Sequence, residues 1–141
     1  ASVEAESVFE GQELVFHLAA RADIVPSIVK PTEYMLANVV GTLRVLEAVR
    51  KYSINRLIYT ASSSCYGLAT EVPTSEKAPI EPMYPYALSK WMAEEMVFHW
   101  TKLYKLNALS LRLFNVYGPR ARTSGNYGAV LGVFFAQKLE K

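Results

Sequence analysis

The amino-acid sequence predicts an α/β fold, a doubly wound parallel sheet with the element order βαβαβα. Three short apolar runs, each bounded by polar or turn residues, are typical of strands that are buried on both faces of a parallel sheet. These runs cover residues 14–20, 56–61 and 108–114. Longer segments with a helical period separate them, and this alternation favours right-handed crossovers between parallel strands.

Each predicted strand is followed by a predicted helix. The first helix covers residues 32–52, directly after Pro31. Its apolar side chains recur at steps of three and four residues, at Met35, Val39, Leu43 and Leu46. The second and third helices are predicted over residues 85–104 and 130–139. The two long helices are apolar on more than one face, and packing against one sheet would bury only part of this surface. We therefore expect a homodimer through helices 32–52 and 85–104.

Length and composition limit the classes of protein to which the chain can belong. A chain of 141 residues with 51% apolar content can form one domain around one core. Its 15 Lys and Arg against 13 Asp and Glu leave a net charge of +2 without a basic cluster, so no nucleic-acid partner is expected. No apolar run approaches the roughly 20 residues that cross a bilayer. With one cysteine, Cys65, and no signal-like N-terminus, we expect a cytoplasmic protein.

Tyr86 and Lys90 are the first candidates for chemistry. They are four residues apart near the start of the second predicted helix, so their side chains lie on one helix face. A nearby ammonium favours the phenolate form of a tyrosine, which makes the phenol usable as a base near neutral pH. The spacing alone has little specificity in a chain with nine tyrosines. The context adds specificity, because the pair follows a serine-rich segment, residues 61–67, at the end of a predicted strand.

Five motifs together resemble one protein family. They are His17-Leu18-Ala19-Ala20 after a strand, Asn38-Val39-Val40-Gly41-Thr42 in a helix, the serine run ending in Tyr66-Gly67, Tyr86 with Lys90, and residues 111–120 (LRLFNVYGPR). In this order and spacing they resemble the extended short-chain dehydrogenases that act on nucleotide sugars, a family that includes UDP-sugar 4-epimerases. The resemblance covers nearly the whole chain. It implies a partial Rossmann-type fold and NAD as the cofactor.

The resemblance also implies catalytic roles for three residues. Tyr86 is implied as the catalytic base, and Lys90 as the cation that stabilises its phenolate and also binds the cofactor at the nicotinamide ribose. Ser62, five residues before Gly67, matches the residue that hydrogen-bonds the reacting sugar hydroxyl. No metal site is predicted.

Binding roles follow from the same resemblance. Leu18, Ala19 and Ala20 are implied to lie against the dinucleotide, and Asn38 to support the cofactor side. Asn115 is implied to contact the diphosphate of a nucleotide-sugar substrate, with Ser64 and Arg120 as further substrate-binding candidates.

Structural explanations stay open for several of these residues. Ser62 and Ser64 can be strand-end residues that satisfy backbone groups. Asn38 can be a buried structural amide, and Arg112 and Arg120 can be solvated charges rather than phosphate ligands.

The chain departs from the family at both ends. Members of the family begin with a strand and a Gly-rich turn that approaches the pyrophosphate at a helix N-terminus. The seven glycines of this chain form no such pattern. We therefore expect residues 1–141 to be the central, catalytic part of an NAD(P)-binding domain, without the N-terminal strand-turn-helix and the C-terminal substrate domain. The isolated segment is expected to be inactive.

Ser63 and Ser64 discriminate among the reactions of the family. In its dehydratases and decarboxylases, the position three before the glycine of the Tyr-Gly pair is commonly a glutamate, often preceded by an aspartate in dehydratases. A serine hydroxyl cannot act as a carboxylic acid. The prediction is NAD-dependent 4-epimerisation of a UDP-hexose through a 4-keto intermediate. The alternatives are a related dehydratase, decarboxylase or reductase, and a non-catalytic oligomerisation or regulatory relative.

Overall fold

The computed structural model describes residues 7–116, 118 and 130–139. The strands are β1 (Leu14–His17), β2 (Arg56–Ser62) and β3 (Ala108–Leu113). The helices are α1 (Ile24–Val29), α2 (Pro31–Tyr34), a π-helical segment (Met35–Val40), α3 (Gly41–Lys51), α4 (Pro85–Tyr104) and α5 (Val130–Leu139). Single 3₁₀ turns cover Ser7–Phe9 and Ser63–Tyr66.

The three strands form one parallel sheet in the order β1-β2-β3. Leu14 pairs with Arg56, and Leu57 pairs with Ala108. The predicted βαβαβα order and parallel sheet are confirmed. The first strand is shorter than predicted: it ends at His17, so residues 18–20 lie in a loop at the carboxyl end of the strand.

The helix predicted over residues 32–52 consists of three contiguous segments: α2, the π-helical segment and α3. The wider turn of a π-helix interrupts the 3.6-residue period, and such interruptions are frequent at functional sites. Here the π-helical segment contains Asn38, which is buried. The short α1 was not predicted, because its six residues, with Pro26 among them, are too few to show a helical period.

Helices α3 and α4 pack against the same face of the sheet. Their side chains meet the alternating inward residues of β2, and together they form a buried core of Leu46, Val49, Ile54, Leu57, Tyr59, Ala61, Ala93 and Val97. Burying a large aliphatic or aromatic side chain contributes about 1.5–3 kcal/mol. The core therefore joins β2 firmly to α4, the two elements that carry the predicted catalytic residues.

The opposite face of the sheet is apolar and exposed. Leu14 and Phe16 of β1 are 43% and 59% exposed. Three leucines of β3 have an exposure similar to that of Leu14: Leu109, Leu111 and Leu113. No helix in the described part of the chain is both long and apolar enough to cross a membrane.

Candidate active site

The predicted site residues are grouped around the carboxyl ends of the strands. Ser62 is the last residue of β2, the 18–22 loop follows β1, and Asn115 lies two residues after β3. Helix α4 begins at Pro85, so Tyr86 lies in its first turn, where the fixed backbone angle of Pro is compatible with a helix start. Open parallel sheets bind ligands at this edge.

Lys90 is held against β2. Its Nζ donates a hydrogen bond of 2.6 Å to the backbone oxygen of Thr60 and lies 4.5 Å from the centroid of the Tyr59 ring. The residue is only 4% exposed. Burial lowers the pKa of Lys90 from 10.5 to about 8, with an opposing contribution from the charge of Glu94. The side chain is thus a buried cation that the protein holds by a carbonyl and an aromatic ring.

Tyr86 is half-buried, one helical turn before Lys90. Its ring packs edge-on against Tyr34, with 6.4 Å between the ring centroids and an angle of 80° between the ring planes. Its backbone oxygen accepts a 2.8 Å hydrogen bond from the hydroxyl of Ser89. Contacts on two sides therefore fix the position of this tyrosine.

Ser62 and Ser64 hydrogen-bond each other. The Ser62 hydroxyl accepts a hydrogen bond from the backbone N–H of Ser64 at 3.2 Å and donates one to its hydroxyl at 3.1 Å. Ser62 thereby caps the 3₁₀ turn that follows β2, a use that sequence reasoning had left open. A hydroxyl has two acceptor lone pairs, so Ser62 retains capacity for one further donor.

Asn38 connects the loop after β1 to the start of α4. Its Oδ1 accepts from the backbone N–H of Arg21 at 2.7 Å, and its Nδ2 donates to Arg21 O at 3.0 Å and to the Ser89 hydroxyl at 2.9 Å. The residue is 1% exposed. Since both amide hydrogens are used within the chain, an effect of Asn38 on a cofactor acts through the positions of Arg21 and Ser89.

Four of the predicted binding residues are exposed at the carboxyl ends of β1 and β3. Leu18, Ala19 and Ala20 are exposed at the carboxyl edge of the sheet, and so is Asn115. The short extent of β1 explains the loop: β1 pairs with β2 only as far as His17, and the backbone of Arg21 bonds to Asn38 instead. Arg120 lies outside the described residues.

The Tyr66-Gly67 motif fixes the connection that leads to α4. Gly67 has a φ of 64°, and a Cβ at this position would collide with the backbone oxygen of Glu81. The N–H of Glu81 donates to Cys65 O at 2.9 Å. Only glycine combines this backbone conformation with so close an approach.

Sequence reasoning missed a buried ion pair. Arg112 is not a solvated charge: its Nε donates to both carboxylate oxygens of Glu94, at 3.1 and 2.9 Å, and Glu94 is 2% exposed. Ser110 donates to Glu94 at 2.7 Å, and Arg112 donates to the Tyr66 hydroxyl at 2.9 Å. Two patterns could have indicated this cluster. Glu94 is four residues after Lys90 in the helix, and Ser110 and Arg112 lie on one face of β3.

No group of three or more potential metal ligands occurs among the residues that the structure describes.

Comparison with known proteins identifies the family. The model of the NAD dependent epimerase/dehydratase family matches residues 2–141. The chain belongs to this family. A putative UDP-glucose 4-epimerase of Methanocaldococcus jannaschii is 35% identical over 133 residues, which are 94% of this chain and 43% of the relative.

Solved structures show the same fold. The UDP-N-acetylglucosamine 4-epimerase of Methanobrevibacter ruminantium, in complex with UDP-N-acetylmuramic acid, is 31% identical with a TM-score of 0.92, over 99% of this chain and 45% of that one. The UDP-glucose 4-epimerase of Brucella ovis, in complex with NAD, is 33% identical with a TM-score of 0.71, over 73% and 32%. The Rossmann-type fold is thereby confirmed. The chain spans less than half the length of these relatives.

The hydrogen-bond donors and apolar surface at this edge of the sheet are compatible with the NAD that the family binds. The Lys90 ammonium has three N–H donors, of which one binds Thr60 O. Hydroxyl groups, such as those of a ribose, are suitable partners for the others. The exposed Leu18, in the loop that Asn38 binds at Arg21, offers an apolar surface at the same edge of the sheet.

Proposed function

We propose that the full-length gene product containing this chain catalyses NAD-dependent 4-epimerisation of a UDP-hexose. The observation that carries the proposal is the environment of Lys90. It is a buried ammonium on the helix face of Tyr86, and no carboxylate among the described residues forms an ion pair with it. Burying a charge without a counter-ion is costly, and such groups cluster at functional sites.

The residues of the chain have distinct roles in this reaction. Tyr86 takes the proton of the sugar 4-hydroxyl as C4 loses its hydride, and it returns the proton when the 4-keto sugar is reduced on its opposite face. Ser62 forms a hydrogen bond with the reacting hydroxyl, and Lys90 stabilises the negative charge on the phenol of Tyr86. Bound NAD supplies the redox chemistry, because it accepts a hydride and returns it within one turnover.

The binding residues are assigned by position. Leu18, Ala19 and Ala20 would contact NAD, with Asn38 holding their loop, and Lys90 would bind the ribose. Ser64, Asn115 and Arg120 would bind the UDP-sugar. The exposed apolar side chains of α4, among them Met92 and Phe98, support a homodimer through helices 32–52 and 85–104. A cytoplasmic location fits the soluble nature of the proposed substrates.

The absence of a carboxylic acid at Ser63 and Ser64 supports epimerisation over the related eliminations. Dehydration needs an acid that protonates the leaving hydroxyl, and neither serine supplies one. Incubation of the full-length gene product with UDP-glucose and NAD should yield the 4-epimer. Formation of a 4-keto-6-deoxy sugar would instead assign the dehydratase reaction, and formation of a pentose from UDP-glucuronate would assign the decarboxylase reaction.

Replacing Tyr86 tests the mechanism. Tyr86→Phe removes one hydroxyl and keeps the ring contact with Tyr34, so the fold and the UDP-sugar KM should be preserved. We expect kcat to fall by at least about a hundredfold, the usual contribution of a positioned acid or base. Near-normal turnover in this variant would exclude Tyr86 as the base.

A further inference from the structure

Tyr59 contacts Lys90 in two ways. It is the middle residue of β2 and is fully buried. Its hydroxyl donates a 3.3 Å hydrogen bond to the backbone oxygen of Lys90, and the face of its ring lies 4.5 Å from the Lys90 ammonium. Both the backbone and the charged end of Lys90 are therefore attached to one side chain of the sheet.

The ring provides an interaction that an aliphatic side chain of similar size would not. A desolvated ammonium over the face of an aromatic ring is attracted by the negative charge of the ring face. Lys90 has no carboxylate partner among the described residues, so the ring and the oxygen of Thr60 are the groups that hold its charge. Filling the core alone would not require an aromatic residue at this position.

The ring itself is fixed from another side. His17 packs against it with 5.6 Å between ring centroids, and His17 Nε2 is 2.9 Å from the hydroxyl of Thr42. Burial and then the charge of Lys90 lower the pKa of His17 to about 4, so the imidazole is neutral at pH 7. It therefore packs beside the Tyr59 ring without placing a second charge near Lys90.

We propose that Tyr59, three residues before Ser62 in β2, is a positioning residue that holds the Lys90 ammonium near the carboxyl end of this strand. The inference rests on the proposed function, in which Lys90 acts on the Tyr86 phenol. Because Lys90 is on α4 and Ser62 is on β2, the contact of Tyr59 with Lys90 sets their relative position. Loss of the ring should impair turnover rather than substrate binding.

The test compares three variants of the full-length gene product with a matched control. Tyr59→Phe keeps the ring, whereas Tyr59→Met and Tyr59→Leu fill the core without it. The control is Leu57→Ala, a core truncation two residues earlier on the same face of β2, where Leu57 is also fully buried. Thermal unfolding reports the structural cost of each change, and kcat and KM with UDP-glucose report the functional cost.

We expect Tyr59→Phe to keep kcat within about threefold, and Tyr59→Met to lose at least about tenfold with KM nearly unchanged. Leu57→Ala should lower the unfolding temperature yet keep kcat. Equal kcat in Tyr59→Met and Leu57→Ala would overturn the inference, and so would equal losses in Tyr59→Phe and Tyr59→Met. If Tyr59→Met does not fold, Tyr59→Leu gives the same comparison.

Tyr86→Phe, measured in parallel, separates this inference from the function on which it rests. An active Tyr86→Phe variant would contradict the proposed function itself. An inactive Tyr86→Phe variant together with a fully active Tyr59→Met variant would overturn only the role of Tyr59.

Discussion

Lys90 and Arg112 are two largely buried cations on either side of Glu94, and they are held in opposite ways. Arg112 forms an ion pair with the Glu94 carboxylate at 2.9 Å. Lys90, one turn before Glu94 in α4, is directed instead to Thr60 O and the Tyr59 ring. Burial lowers the pKa of Arg112, but its hydrogen bonds to Tyr66 and Glu94 and the Glu94 charge outweigh burial and raise it. For Lys90 burial prevails, and its pKa falls to about 8.

The difference separates a cation that forms an ion pair from one that forms none among the described residues. Arg112 and Glu94 satisfy each other and join β3 to α4, while Arg112 also reaches Tyr66 and the backbone oxygen of Glu76. Ser110 and Arg112 hydrogen-bond the Glu94 carboxylate, whereas the Lys90 ammonium bonds Thr60 O instead. Among the described residues Lys90 therefore forms no ion pair, although the Glu94 charge opposes the effect of burial on its pKa.

The largest effect is expected for Arg112. Arg112→Met leaves Glu94 as a buried charge without its partner, which should reduce the free energy of unfolding by about 3–5 kcal/mol. Urea denaturation of the full-length gene product measures this loss. A matched double variant, Arg112→Met with Glu94→Met, should recover most of it, because an apolar pair replaces the ion pair. A single variant of normal stability would show that Arg112 is not structural.

Lys90 should make stability depend on pH in the opposite sense from a paired cation. Its pKa is about 8 in the folded protein and 10.5 ordinarily, so the folded state releases its proton first. The free energy of unfolding should rise by about 3 kcal/mol between pH 8 and pH 10.5, and Lys90 should add no pH dependence below that window.

Urea denaturation at pH 7.5, 9 and 10.5 tests this dependence, and Lys90→Met should remove it. Lys102 lies in the same helix and is exposed, so Lys102→Met is the control that should retain the rise. An identical pH dependence in wild type and Lys90→Met would show that burial of Lys90 does not shift its titration.

The smallest effect is expected for an exposed ion pair. Arg21 and Glu33 are 2.9 Å apart, with side chains 53% and 39% exposed. Solvent screens such a pair, so Arg21→Ala should change the free energy of unfolding by less than about 1 kcal/mol. A loss as large as that for Arg112→Met would mean that burial does not explain the difference between these arginines.

Local patterns predicted the fold well. The limits of α4 and α5 were predicted at residues 85–104 and 130–139, as observed, and Pro85 marks the start of α4. The π-helical segment was not predictable, since the apolar spacing of Met35 and Val39 is also that of an α-helix. Residues 18–20 were assigned to a strand because apolar loop residues look the same as strand residues in a sequence.

The sequence alone determined the family of the protein and the side chains that are candidates for its chemistry. Tyr86, Lys90 and Ser62 were predicted as catalytic candidates from motif order, since the order and spacing of motifs depend only on the chain. Contacts between residues distant in the chain were decided by the tertiary structure. Asn38 binds Ser89 across 51 positions, Lys90 binds Thr60 across 30, and Arg112 binds Glu94 across 18. The packing of α4 on the sheet places Arg112 in an ion pair with Glu94 and places Lys90 against a carbonyl and an aromatic ring. The tertiary structure decides this difference, because the pKa and the partners of a charged side chain depend on its burial and its neighbours.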